Sequence, residues 1–239
     1  MPINQEGECM MYATTIDSYR DAAGVNQAMG RVYFHMMCAV LVSMFVSYAV
    51  GTNPGMVEFF FTGFMKWVVI FAPLVAVFAV VPVLASNPPA PVAVAVLHGF
   101  AALMGLSFAT IFVIFTMGSI FTAFMGAAVL FATMSGYGYF TKQSLDSVGK
   151  YAFVALIAII IASIINIFIG STVMQMVISA IAIIVFLALT AYDTQQIREM
   201  VSSNSATAAN EVSGALTLYL DFINLFINLL QLFGLKKDD

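Results

Sequence analysis

Long uncharged stretches of apolar residues organise the chain. Apart from Asp221, no Asp, Glu, Lys or Arg occurs in 32–57, 67–141, 151–192 or 212–235. A helix needs roughly 20 consecutive apolar residues to cross the hydrocarbon core of a bilayer. Turn-forming sequences divide the longer stretches, least clearly at 116–119. The pattern therefore predicts seven transmembrane helices, near residues 32–50, 60–84, 92–115, 120–140, 151–169, 174–193 and 214–234.

The composition indicates a membrane protein. Hydrophobic residues make up 62% and charged residues 8% of the 239 positions, whereas an ordinary globular domain is about 45–50% apolar and about 25% charged. We expect an all-α, polytopic bundle of seven transmembrane helices in the lipid bilayer, because a β-barrel would show short alternating segments of about ten residues. Residues 1–30 are predicted to be a cytoplasmic N-terminal segment, 31–235 the transmembrane domain and 236–239 a short tail.

The few charged residues predict an orientation. Eight Lys and Arg against 12 Asp and Glu include no basic block, so nucleic acid is not an expected partner. With seven helices, five basic residues fall on the side of the N-terminus and three on the other: Arg20, Arg31, Lys142, Lys150 and Arg198 against Lys66, Lys236 and Lys237. The positive-inside rule then places the N-terminus in the cytoplasm. The polar N-terminal residues and compact loops favour a bacterial plasma (inner) membrane, with an internal eukaryotic membrane as the alternative.

A stripe of polar residues marks the seventh predicted helix. Its members recur at steps of three and four, which places them on one helix face: Gly214, Thr217, Asp221, Asn224, Asn228 and Gln231. Such groups are costly in hydrocarbon, so this polar stripe must face protein or water. Two interpretations stay open. The stripe either forms a polar pathway or ion site, or supplies interhelical hydrogen bonds that stabilise the bundle.

Two aspartates are the candidate pH sensor and gate. Asp193 ends the sixth predicted helix and Asp221 lies about two turns into the seventh, so both are expected at similar depth. If their carboxyl groups meet, they cannot both ionise easily, and they would share a proton and titrate as a pair. Their oxygens, with those of Asn224 and Asn228, could also bind a hard cation such as Ca²⁺. Alternatively, Asp193 reaches interfacial water from the end of its helix.

Other polar residues within the predicted helices have simpler interpretations. His98 lies alone on an apolar helix and is interpreted as a packing histidine rather than a proton relay. Lys66 is expected to extend to the lipid headgroups. Pro73 and Pro82 each remove a backbone hydrogen bond, which makes the second helix the candidate for a kink.

Three segments of the chain contain short sequence motifs that are informative in combination. The first segment, 189–197, has the sequence Leu-Thr-Ala-Tyr-Asp-Thr-Gln-Gln-Ile. The second is the fourth predicted helix with its loop, which contain Ser-Gly-Tyr-Gly at 135–138 and Thr-Lys-Gln-Ser-Leu at 141–145. The third, 216–226, surrounds the single aspartate of the last helix. Together they resemble the Bax inhibitor family of membrane proteins, with its Tyr-Asp-Thr-Gln, Ser-x-x-Gly-Tyr and Thr-Lys-x-x-Leu patterns. The resemblance covers roughly residues 30–235.

This resemblance implies a seven-helix bundle whose last helix is surrounded by the other six. It also implies a pH-sensitive calcium leak governed by two aspartates, which correspond to Asp193 and Asp221. Calcium-leaking bacterial members latch one aspartate with an arginine near the cytoplasmic end of the second helix, whereas residues 67–86 contain no basic residue here. Some members are described as cytoprotective regulators rather than channels.

The expected function is therefore a cation leak, foremost for Ca²⁺ and controlled by H⁺, without catalysis or a cofactor. Its candidate polar pathway comprises Thr217, Asn224, Asn228 and Gln231. The alternative is a non-conducting regulator that binds a membrane-protein partner. An intramembrane aspartyl protease also places aspartates on its sixth and seventh helices, but it carries Gly-x-Gly-Asp where this chain has Tyr219-Leu220-Asp221.

Overall fold

A computed structural model describes the backbone of residues 5–202 and 207–237 and the side chains of 23–202 and 207–237. The predicted N-terminal segment 1–30 and tail 236–239 therefore lie partly outside the described residues. The described part of the chain forms these helices: α1 Gln5–Gly51, α2 Pro54–Phe61, α3 Met65–Ala85, α4 Ala90–Ser107, α5 Ala109–Ile114, α6 Met117–Phe140, α7 Asp146–Ile169, α8 Thr172–Ser202 and α9 Ala208–Phe233.

Seven segments of these helices are long and apolar enough to cross a membrane. They match the seven predicted helices one to one: Ala23–Gly51, Met65–Ala85, Ala90–Ile114, Met117–Phe140, Asp146–Ile169, Thr172–Ser202 and Ala208–Phe233. The prediction of an all-α, polytopic seven-helix bundle is confirmed. We call the membrane side at which the α1 span begins the N-terminal face, and the opposite side the C-terminal face.

The helix boundaries follow local backbone chemistry. The weak break at 116–119 is present, because Phe115 is extended and the Thr116 side chain accepts a hydrogen bond from the Ser119 amide to begin α6. The second span begins at Met65 rather than near residue 60. The short helix α2 occupies 54–61, and Thr62 in extended backbone followed by Gly63 at φ +56° separates α2 from α3. Pro73 and Pro82 both lie inside α3.

The last helix lies at the centre of the bundle, as predicted. α9 packs against α8, α1 and α6 and also contacts α3 and α4. In the apolar stretch of α9, 56% of the residues are buried inside the protein, whereas the corresponding share is 11% in each of α3, α6 and α7. α7 packs mainly on the outside of α8. Within the polar stripe of this central helix, Gly214 and Asp221 are buried, Thr217, Asn224 and Asn228 are half-buried and Gln231 is exposed.

Small residues bring the helix backbones into direct contact. Gly138 on α6 lies against the backbone of Ala191 on α8, and a Cβ added to Gly138 would overlap the Ala191 carbonyl. On the other side of the bundle, Gly105 on α4 also lies against the backbone of Ser43 on α1. Such close approach favours association of helices in lipid, where apolar burial drives association only weakly. The Gly138 contact fixes α8 two residues before Asp193.

We expect Gly138→Ala to lower the stability of the purified protein by about 1–3 kcal/mol, because the new methyl group overpacks a backbone contact. Gly136→Ala on the same helix is the matched control, since a Cβ there has open space. Alanine in place of this glycine should add up to about 1 kcal/mol through helix propensity. Thermal unfolding in detergent measures both, and equal melting temperatures would contradict the close α6–α8 contact.

Candidate functional site

The structure brings the two candidate aspartates together. The carboxyl groups of Asp193 on α8 and Asp221 on α9 lie beside each other, close enough to interact directly. Asp221 is only 4% exposed and Asp193 is half-buried. Two ionised carboxylates can only accept hydrogen bonds, so a bond between them requires a proton on one of them. The geometry is that of a pair able to hold a proton between two helices.

The second oxygen of Asp221 has no partner within the described part of the chain. Its Oδ2 atom is buried without a hydrogen bond. Among the described residues, no group of three or more His, Cys, Asp or Glu side chains is arranged to hold a metal ion. A cation at the aspartate pair would therefore draw its remaining ligands from amide, hydroxyl or carbonyl oxygens or from water, all of which suit hard cations.

A chain of hydroxyl groups fixes α8 next to Asp193. The Ser135 hydroxyl is hydrogen-bonded to Tyr33 on α1, at 2.6 Å, and to Thr194 on α8, at 2.9 Å. Gln195 then accepts a bond from the Leu145 amide at 2.8 Å and donates one to the Gln143 carbonyl at 2.9 Å. The residues that follow Asp193 thus tie α8 to α6 and to the loop between α6 and α7. These bonds join two of the three sequence segments, 135–145 and 189–197.

The middle of the polar stripe bonds to its own helix. Thr217 donates to the Ser213 carbonyl at 3.2 Å, Asn224 to Leu220 at 2.8 Å and Asn228 to Asn224 at 2.8 Å. All three donating side chains are half-buried. These bonds use the Thr217 hydroxyl and the amide N–H groups of Asn224 and Asn228, and they do not engage the side-chain oxygens of the two asparagines. These three side chains therefore donate within α9, and they do not donate the interhelical hydrogen bonds that the bundle-stabilising interpretation of the stripe requires.

The far end of the stripe joins a cluster of amide side chains that the sequence analysis missed. Gln231 accepts hydrogen bonds from Gln175 at 2.7 Å and from Ser179 at 3.0 Å, both on α8. Asn166 on α7 donates to Gln175 at 3.2 Å. The signal was present, since Gln175 and Ser179 are four residues apart on an apolar helix and therefore share a face. We call Asn166, Gln175, Ser179 and Gln231 the amide cluster.

Polar contacts therefore occupy both ends of the α8–α9 seam. Asp221 and Gln231 are ten residues apart, or about 15 Å at 1.5 Å per residue. Between these ends, α8 buries an apolar face consisting of Ala182, Val185, Phe186 and Leu189. Those side chains belong to the main core cluster. In this conformation the seam is closed by apolar packing.

An ion pair joins α1 to α9 at the N-terminal face. Arg31 Nε lies 2.7 Å from Glu211 Oε2, and its Nη2 lies 2.5 Å from Oε1, so the pairing is bidentate. The Glu211 residue is only 6% exposed, whereas the Arg31 side chain is 48% exposed. The sequence analysis used Arg31 only to predict orientation and assigned no role to Glu211. Nothing in the local pattern connects two residues 180 positions apart.

Two histidines line the open cavity beside this ion pair. The cavity has a volume of about 860 Å³ and lies between α1, α4 and α9. His98 donates from Nδ1 to the Val94 carbonyl at 2.8 Å and is half-buried, while the buried Nδ1 of His35 has no partner within the described residues. His98 therefore lies at a cavity wall, bonded to its own helix.

Comparison with known proteins finds similarity along nearly the whole chain. A sequence model described as Inhibitor of apoptosis-promoting Bax1 (Bax1-I) matches residues 25–238. The chain is 34% identical over 220 residues to the inner membrane protein YbhL of Escherichia coli K12, which covers 90% of this chain and 94% of YbhL. It is 34% identical to a protein of Deinococcus radiodurans, and the aligned region covers 90% of this chain and 92% of that protein. It is 35% identical to YrjE of Lactococcus lactis, with 89% of this chain and 92% of YrjE aligned.

Arg31→Gln should lower stability by about 1–2 kcal/mol, because it leaves the buried Glu211 carboxylate unpaired. The loss should be below the about 3–5 kcal/mol typical of fully buried pairs, since Arg31 is half exposed. Arg31→Gln combined with Glu211→Gln should cost less than the two single changes added together. Thermal unfolding of the four proteins in detergent gives the coupling, and strictly additive losses would show that the ion pair does not stabilise the bundle.

Proposed function

The chain belongs to the Bax inhibitor family, as its motifs indicated, and we propose that it is a pH-sensitive cation leak, foremost for Ca²⁺, controlled by Asp193 and Asp221. It is an integral, multi-pass membrane protein. The proposed location is a bacterial inner membrane with the N-terminus in the cytoplasm. YbhL is an inner membrane protein, and the basic residues favour that orientation.

The observation that carries this proposal is the contact between two carboxyl groups inside the bundle. A second negative charge at this contact is strongly unfavourable, because the surroundings solvate charge poorly. The pair must therefore take up a proton, take up a cation or separate. Protons and cations compete for the same oxygens, which makes the binding of a cation dependent on pH.

The proposed path follows the α8–α9 seam. When the aspartate pair loses its proton, repulsion between the carboxylates moves α8 away from α9 and opens the apolar contacts between them. The oxygens of Asn224 and Asn228 then line the path from the aspartates toward the amide cluster. These are the oxygen ligands that Ca²⁺ prefers.

The leak should depend on pH in the wild type and lose that dependence in either aspartate variant. We expect Ca²⁺ influx into dye-loaded liposomes to rise several-fold from about pH 6 to about pH 8, because the pair loses its proton over this range and the path opens. Asp193→Asn and Asp221→Asn should each give a flux that is nearly constant over this range. An amide in place of one carboxyl group removes the shared proton and the charge repulsion.

The control for these variants is Glu199→Gln, which removes an exposed carboxylate from α8 six residues beyond Asp193. Its pH profile should match that of the wild type. A profile that stays unchanged in both aspartate variants would refute the gate. Flux no greater than that of empty liposomes at every pH would refute the leak and favour a non-conducting regulator.

Asn228→Leu should reduce Ca²⁺ flux several-fold at every pH without flattening the pH profile, because it removes an oxygen from the path but not from the gate. The control is Thr133→Leu on α6. Thr133 donates to the Val129 carbonyl of its own helix, as Asn228 does to Asn224, but its side chain is exposed on the outside of the bundle. Equal flux in the two variants would contradict the proposed path.

A further inference from the structure

An apolar cavity of about 420 Å³ opens in the half of the bundle nearer the C-terminal face. It lies between α1, α5 and α6, with α9 as its back wall. Its lining is almost entirely apolar and includes Met44, Phe121, Phe124 and Phe226. We call it the lateral cavity. Its volume is within the range of sites that bind small molecules.

The mouth of the lateral cavity faces the bilayer. Near the N-terminal face α1 and α6 are linked through Tyr33 and Ser135, but along most of their length these two helices do not pack against each other. Phe45 on α1 and Phe121 on α6 line the cavity and are 72% and 67% exposed. An apolar cavity of this kind excludes water. The molecules available to fill it from the side are lipid acyl chains.

A second hollow of about 440 Å³ lies at the C-terminal face, next to the lateral cavity. The two hollows share Phe112 as a wall, and the Phe112 ring packs edge-to-face on Tyr48 at 5.6 Å. The second hollow is lined by both Lys237 and Glu58. It therefore offers one positive and one negative group at the level of the lipid headgroups.

The chain after α9 is held in place at this hollow. Leu235 accepts a backbone hydrogen bond from Thr116 at 3.0 Å, and Lys237 donates its backbone N–H to Ile114 at 3.0 Å. The Lys237 Nζ atom donates to the Phe112 carbonyl at 2.7 Å. Its ammonium group is thus fixed at the rim shared by the two hollows, with further N–H donors available for a ligand.

We propose that these two hollows form one binding site for a phospholipid with a zwitterionic primary-amine headgroup, phosphatidylethanolamine. One acyl chain occupies the lateral cavity, the phosphate accepts hydrogen bonds from Lys237, and the ammonium group donates to Glu58. The pairing of one cation with one anion matches this headgroup better than a purely anionic one. The acyl chain contacts Ile223 and Phe226, so the lipid supports α9 within five residues of Asp221.

Native mass spectrometry of the delipidated full-length protein tests this site. Dioleoyl phosphatidylethanolamine should bind about tenfold more tightly than dioleoyl phosphatidylglycerol or phosphatidylcholine, which corresponds to one charge-assisted hydrogen bond. Phosphatidylcholine is zwitterionic but has no N–H to donate to Glu58. Dihexanoyl phosphatidylethanolamine has the same headgroup but acyl chains too short to fill the lateral cavity, and it should bind weakly.

Substitutions at two exposed residues, Lys237 and Glu58, distinguish the contact to the phosphate from the contact to the ammonium group. Lys237→Gln should weaken binding of all three dioleoyl lipids, whereas Glu58→Gln should abolish only the preference for phosphatidylethanolamine. Lys66→Gln is the control, because Lys66 is exposed near the same face but packs over Trp67 instead. Equal binding of the three lipids, unchanged by Lys237→Gln, would overturn the proposal and indicate nonspecific annular lipid. Equal binding of short-chain and long-chain phosphatidylethanolamine would overturn the assignment of the lateral cavity.

Discussion

The position of Asp221 constrains the rest of the structure. Hydrocarbon cannot solvate a carboxyl group, so the helix that carries Asp221 must be covered by protein on that face. α9 accordingly lies at the centre of the bundle, with the Asp221 side chain almost completely buried. Inside the bundle, the group that lies beside it is the carboxyl group of Asp193 on α8. The central helix and the α8–α9 pairing therefore follow from one polar group.

The contacts around this pair show how the bundle is assembled in lipid. Hydrophobic burial contributes little to association there, because lipid tails are as apolar as leucine side chains. Backbone contact at Gly138 and the hydroxyl chain from Tyr33 to Thr194 instead fix α8 against α6 and α1. On the opposite side, the Tyr219 hydroxyl is bonded to Ser43 at 2.7 Å, and Ser43 donates to the Ala101 carbonyl at 2.8 Å. Polar and small residues thus hold in place the two helices that carry the aspartates.

Much of this fold could be predicted from the sequence, because span length and apolar composition are local properties. The seven spans and the weak break at 116–119 are of this kind. The separate helix α2 was missed, since its apolar residues read as the start of the second span until the positive φ of Gly63 divides them. The approach of Asp193 to Asp221 was anticipated from their similar depth, but the other polar pairings across the bundle were missed. Arg31 and Glu211 are 180 positions apart, and helical periodicity specifies a face but not the helix that packs against it.

The distribution of charge supports the proposal that the aspartates take up a proton or a cation. Arg31 neutralises Glu211 at the beginning of α9, and it does so with two donors, Nε and Nη2, directed at the two oxygens of that carboxylate. In the part of the chain that the structure describes, the aspartates have no such partner, and Asp221 Oδ2 is left without a hydrogen bond. One proton reduces the charge of the pair from −2 to −1, whereas one divalent cation cancels it. In the proposed leak, a site of this charge balance would discriminate by valence, and the arrangement that would make the pair sensitive to protons is the same one that would favour Ca²⁺ over a monovalent ion.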